Sequence, residues 1–267
     1  MKHGKTKSVK LLLFLGFKKL CSWVRKSAPD KQTVFISGMQ RSGTNMLMKI
    51  LDYNLNTDVY HETDYRAFDN YKMRDRVVIR QLLARSSAST FIIKSLFELQ
   101  DIKQLMTDFS PAKTVWIVRS YDDVTNSMLA SFRENIIARI VRAVKENSDE
   151  WLAAGMSQQT KEKLSPYVHP EMSEASAAAT QWYFRNVLFF EQMLDCNSNV
   201  LVINYEELVS KPGVVIQRVC GFLGITFSKR MIGDIFASSI HRKDKPDISP
   251  EIRKLCDQLS EKFEQLF

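Results

Sequence analysis

The stretch Thr33-Val34-Phe35-Ile36-Ser37-Gly38-Met39-Gln40-Arg41-Ser42-Gly43-Thr44-Asn45 decides the reading of this chain. Its first five residues are short, apolar and β-branched, the composition of a buried strand, and Gly38 ends the run. Met46 to Leu55 follows with helical spacing. A strand, a glycine-bounded loop and a helix N-terminus make an anion site, because loop N–H groups and the positive end of the helix point at one place. Gly38 and Gly43 stand at the separation of a Walker A loop, but Thr44 occupies the place of the lysine, and Arg41 lies inside the loop instead. The Walker lysine reaches the β- and γ-phosphates, so a magnesium–nucleoside triphosphate is a poor candidate here. A guanidinium suits an anionic group directly, with bidentate geometry.

Outward from the loop, Phe91-Ile92-Ile93, Thr114 to Val118 and Asn199 to Ile203 read as further buried strands. Helical patterns over 98–107, 122–145, 173–195 and 212–223 separate them, and the polar stretch 146–172 reads as an inserted loop with a short helix. Strands alternating with helices predict an α/β, three-layer fold: a central parallel sheet flanked by helices. Arg119 stands at the carboxyl end of the strand 114–118, where open α/β sheets bind ligands. Ser127, in the helix that follows, is within reach of the same anion.

With 267 residues, 45% hydrophobic and 25% charged, the chain has the composition of a globular protein with a sizeable core. Cys21, Cys196, Cys220 and Cys256 lie too far apart for a zinc site, and reduced thiols, most of them in the core, are expected. Lys and Arg exceed Asp and Glu by eight, and residues 1–27 hold eight Lys or Arg and no acid. The rest is balanced at thirty of each sign, so no nucleic-acid partner is expected. The chain divides into a basic tail, 1–30, and one domain, 31–267. In the tail, Leu11 to Phe17 is too short an apolar run to span a bilayer. Val9, Leu12, Leu13, Phe17, Leu20 and Val24 recur at helical spacing among lysines, the pattern of an interfacial helix. Peripheral membrane contact through residues 9–26 is one expectation, and a solubilising tail packed on its own domain is the other; the protein is expected in the cytoplasm.

Arg41-Ser42-Gly43-Thr44, with Arg119 and Ser127 eight apart after a strand, resembles the two signatures of sulfotransferases that use 3′-phosphoadenosine 5′-phosphosulfate (PAPS). Val202 to Leu208, Pro212 and Phe222-Leu223-Gly224 resemble a late strand–helix segment of the same family, so the likeness runs from about 32 to 267 and is nearest the carbohydrate and tyrosyl-type branches. It implies a P-loop NTPase-like sulfotransferase fold. It implies PAPS as co-substrate, PAP as product, no required metal, and a hydroxyl or amine acceptor, a carbohydrate among the candidates. Gln40, Arg41, Ser42, Gly43, Thr44 and Asn45 would then face the 5′-phosphosulfate, and Arg119 and Ser127 the 3′-phosphate, with Arg242 a later contact. Asn45 replaces the family's second threonine, and Ser120-Tyr121 stand where Asp-Pro is common. Glu62, 21 residues after Arg41, matches the family's base offset, and His61 is its rival. Lys94, followed by Ser95, matches the catalytic lysine region. Residues 132–196 would shape the acceptor pocket, with Arg133, Arg139, Arg142, Lys145, Trp182, Tyr183 and Arg185 open either to acceptor contact or to core packing. Two other readings stand beside this one: a P-loop nucleotide kinase, and a non-catalytic binder of PAP or PAPS.

Overall fold

β1 (Gln32–Ser37) lies at the centre of a five-stranded, all-parallel sheet in a computed structural model that describes residues 13–20, 28, 30–131, 135–146, 151–233 and 244–267. The other strands are β2 (Thr57–Tyr60), β5 (Thr90–Ser95), β6 (Ala112–Val118) and β7 (Val200–Asn204), in the order β2-β5-β1-β6-β7. β3 (Phe68–Asp69) and β4 (Lys72–Met73) form a small antiparallel hairpin beside it. The register pairs Ser37 with Ser95 on one side and with Trp116 on the other.

Both faces of the sheet are covered, which is why its strands read as continuous apolar runs. Alternate residues serve opposite layers. Phe35, Phe91, Ile93 and Trp116 enter one core, while Val34, Ile36, Ile92, Val115 and Ile117 enter the other. The second core is closed by a helical segment over 13–20 (α1), by α2 (Thr44–Asp52), and later by α9 (Tyr205–Ser210) and α10 (Pro212–Leu223). The first core takes α3 (Arg76–Arg85), α4 (Ile102–Asp108), α5 (Tyr121–Ser131), α6 (Ile136–Lys145), α7 (Gln158–Leu164), α8 (Glu174–Glu191) and α11 (Pro250–Glu264). The expected α/β three-layer fold is thus the one observed.

Two local expectations change, and the tail adds a third observation. The single helix read over 122–145 is two, because the Asn135 side chain accepts from the Ala138 N–H and starts α6 afresh. The helix read over 173–195 ends at Glu191, just before Met193 turns left-handed at φ 57°. Part of the basic tail is packed on the domain: Phe14 is buried against Tyr53, and Lys18 Nζ donates to Asp52 Oδ1 at 2.7 Å.

Candidate active site

The anion loop is built from backbone positions that few residues tolerate. Gly38, Arg41 and Gly43 all have positive φ, at 144°, 69° and 99°. A Cβ on Gly38 would stand 2.5 Å from the Ile117 carbonyl, so only glycine lets β1 leave the sheet here. A Cβ on Gly43 would stand 2.3 Å from the Tyr205 ring. That ring cannot swing aside freely, since the Arg119 guanidinium lies over it at 4.5 Å. Gly43→Ala is therefore expected to lower stability by about 2–4 kcal/mol, from left-handed strain plus overpacking. In a thermal melt that is a drop of roughly 5–15 °C. An unchanged melting temperature would mean that Tyr205 does not brace the loop.

α2 starts at Gly43 with no side-chain cap and no acid in its first turn, so its amides and dipole are left for an external anion. Ser42 is buried, and its Oγ has no partner among the described residues. Arg41, a left-handed non-glycine, swings its side chain across the loop: Nε donates to Ser127 Oγ at 2.9 Å. Arg119 Nη1 donates to the Arg41 carbonyl at 3.2 Å and pairs with Asp123 at 3.3 Å. The two anion signatures are therefore in contact. The Trp182 indole N–H fixes the Arg119 carbonyl at 2.9 Å, and Glu206 accepts from the Ser120 N–H at 3.0 Å, which holds the β6–α5 turn in place.

On the other side of β1, Lys94 and Glu62 meet. Lys94 Nζ donates to Glu62 Oε2 and, at 2.8 Å, to Asn45 Oδ1; Asn45 Nδ2 donates to Glu62 Oε1 at 3.2 Å. The residue that replaces the family's threonine thus closes a triangle with lysine and carboxylate. Burial pulls the Lys94 ammonium below the usual lysine range, and pairing with Glu62 opposes that shift. His61 stands apart: its Nε2 is 4.0 Å from Asp52 Oδ2, and burial lowers its pKa.

Because β2, β5, β1 and β6 are neighbours in that order, Glu62, Lys94, the loop and Arg119 form a row along the carboxyl edge of the sheet. They line one cavity of about 610 Å³, together with Gln40, Gly43, Thr44, Asn45 and Ser127. Its far wall carries Phe97 and Trp151, whose rings stack at 4.2 Å, with Tyr71, Gln181 and Arg139. His61 does not line it. Trp182, Tyr183 and Arg185 are buried. Arg185 Nη2 donates to the Leu96 carbonyl at 3.1 Å, and burial lowers its pKa to about 10 against the pull of Glu98 and Asp101. It supports the wall from behind. Arg133 and Arg242 lie outside the described residues. Asp244, two positions after Arg242, accepts with its carbonyl from Asn126 Nδ2 at 3.0 Å, next to Ser127.

Sequence reasoning missed three parts of this site. Tyr205 lies against Gly43 and under the Arg119 guanidinium; the sequence marked it only as part of the late strand–helix segment, with no role of its own. Asn45 was visible as a departure from the family pattern, not as a bridge. The Phe97–Trp151 stack joins residues 54 apart and left no local pattern.

Fold and row together define a P-loop-like α/β protein whose loop carries Arg41 inside it and Thr44 where a triphosphate enzyme has a lysine. The model of the sulfotransferase domain family matches residues 31–260, and the chain belongs to that family. The sulfotransferase domain from the curacin biosynthetic pathway superposes with a TM-score of 0.54 at 14% identity, over 88% of this chain and 99% of that one. The sulfotransferase domain of the Synechococcus olefin synthase gives 0.56 at 14% identity, over 88% and 96%. A sulfotransferase from Mycobacterium tuberculosis gives 0.50 at 12% identity, over 89% and 77%. At such identities the likeness concerns the fold alone. No curated protein sequence matches the chain.

Proposed function

We propose that this sulfotransferase moves the sulfuryl group of PAPS to a hydroxyl or amine of an acceptor, with Glu62 as base. The observation that carries the reading is the single cavity in which the lysine-free anion loop and the Lys94–Glu62–Asn45 triangle stand side by side. PAPS supplies an activated sulfuryl group carrying one negative charge, which asks for less counter-charge than a terminal phosphoryl group. The residues suit it. The loop from Gln40 to Asn45, the uncapped start of α2 and the buried Ser42 hydroxyl face the 5′ end. Arg41 lends a guanidinium there, and Arg119 with Ser127 takes the 3′-phosphate, joined by Arg242 on the family pattern. Lys94 holds Glu62 and faces the oxygen on which charge grows. Glu62 takes the acceptor proton. No metal enters this scheme. The stacked Phe97 and Trp151 offer an apolar face for the C–H side of a sugar ring or for a planar ring, so a carbohydrate acceptor belongs in the proposal.

The first test is ligand-induced stabilisation. PAP at about a hundred times its dissociation constant stabilises by about 2.7 kcal/mol, which should raise the melting temperature by roughly 5–10 °C. AMP, lacking the 3′-phosphate, should raise it much less. Stabilisation by Mg-ATP and none by PAP would overturn the assignment in favour of a nucleotide kinase.

A further inference from the structure

The helical segment α1 uses two faces differently. Phe14 and Lys18, one turn apart, hold it on the domain: Phe14 is 9% exposed with the Arg230 guanidinium 5.0 Å over its ring, and Lys18 Nζ reaches the Asp52 carbonyl at 2.9 Å and Thr57 Oγ1 at 3.1 Å. Leu13, Phe17 and Leu20 recur at i, i+4 and i+7 on a separate stripe and are 71%, 55% and 62% exposed. The stripe is therefore not what docks the helix. Beside α1 lies a cavity of about 740 Å³, lined by Leu15, Lys18 and Lys19 on the helix and by Leu55, Tyr65 and Arg85 on the domain. Leu55 and Tyr65, on the domain wall of that cavity, are exposed too. The cavity's two carboxylates are occupied, Asp52 by Lys18 and Asp58 by the Tyr60 hydroxyl at 3.2 Å.

The charge around the stripe selects its partner. Residues 1–27 carry eight Lys or Arg and no acid, while the remainder of the chain is balanced. A second copy of the chain would bring two tails of the same sign together. An anionic lipid surface offers apolar depth and opposite charge at once. We propose that Leu13, Phe17 and Leu20 insert into the headgroup–acyl boundary of an anionic bilayer while Phe14 and Lys18 keep α1 docked, so that the domain is carried on the membrane face. From Leu13 to Leu20 the helix rises about 10 Å, enough to lie in the interface and far too little to cross it. Among the described residues no helix is long and apolar enough to span a membrane.

The experiment is cosedimentation of the full chain with vesicles of phosphatidylcholine containing about 30% phosphatidylserine, against pure phosphatidylcholine. Wild type should partition at least about tenfold better into the anionic vesicles. The triple variant L13S/F17S/L20S should lose at least about tenfold of that binding with its melting temperature unchanged, since all three side chains already face water. Wild type that fails to sediment overturns the proposal. So does a triple variant that binds within about twofold of wild type, which would assign binding to the tail's charge alone. A wild-type dimer in solution that the triple variant dissolves, with no vesicle binding by either, would make the stripe a self-interface and equally overturn it.

Discussion

Glu62→Gln should cut turnover by about 10²–10⁴-fold and leave PAP affinity within a few-fold of wild type. The substitution keeps the shape of the side chain and an oxygen for the Asn45 amide, which donates to Glu62 at 3.2 Å. It removes the one property the proposal needs, a carboxylate able to accept the acceptor's proton. Lys94 loses its counter-ion but keeps Asn45 Oδ1 at 2.8 Å, so the triangle should loosen without collapsing. The donor loop lies on the other side of Lys94 in the row, which is why nucleotide binding should survive. Single-turnover rates and calorimetric PAP binding measure the two effects separately. A non-catalytic nucleotide binder would show no turnover in wild type for the variant to lose. Full turnover by Glu62→Gln would place the base elsewhere. His61 is the rival by chemistry; its Nε2 stands 4.0 Å from Asp52 Oδ2, and it is not among the residues that line the cavity.

What the sequence disclosed follows from how a parallel sheet is built. β1, β5, β6 and β7 are buried on both faces, so their apolar runs stand out against the helices between them. β2, with the sequence Thr57-Asp58-Val59-Tyr60, is a sheet edge with two half-buried residues in the middle, and it left no such run. The β3–β4 hairpin has two residues per strand, and α3 buries only Ile79; neither carries enough periodicity to be read. Of the candidate site, the residues at strand ends that line the cavity were each singled out in the sequence: the loop, Lys94, Arg119 and, through the family offset, Glu62. Their mutual contacts were not. The Lys94–Glu62–Asn45 triangle joins residues 49, 32 and 17 apart, and only the β2-β5-β1 order brings them together. Arg41 and Arg119 read as two separate anion sites; the Arg41–Ser127 hydrogen bond makes them one continuous surface. The tail was legible in its charge but not in its orientation. Phe14, which the helical pattern left out, docks it together with Lys18.

Lys94→Ala should cost about 10²–10³-fold in turnover, the usual effect of deleting a preorganised donor that meets developing charge. Lys94 is almost fully buried, and its partners are Glu62 and Asn45. Two roles are open to it, and the pH profile separates them from simple scaffolding. Burial has pulled its pKa below that of an ordinary lysine. If its positive charge serves the reaction, activity is present while the group is protonated and falls as pH rises through that lowered pKa, below 10.5. Linkage runs the other way. In the window between the folded pKa and 10.5, the unfolded chain binds a proton that the folded one has released, so this group's contribution to stability increases with pH. An alkaline loss of activity without an accompanying loss of melting temperature is therefore the signature of Lys94 at work. Lys94→Arg keeps a charge that does not titrate, and should move the alkaline limb out even if its larger head lowers the plateau. A Lys94→Arg enzyme with an unmoved limb would assign that limb to another group and leave Lys94 as a tether for Glu62.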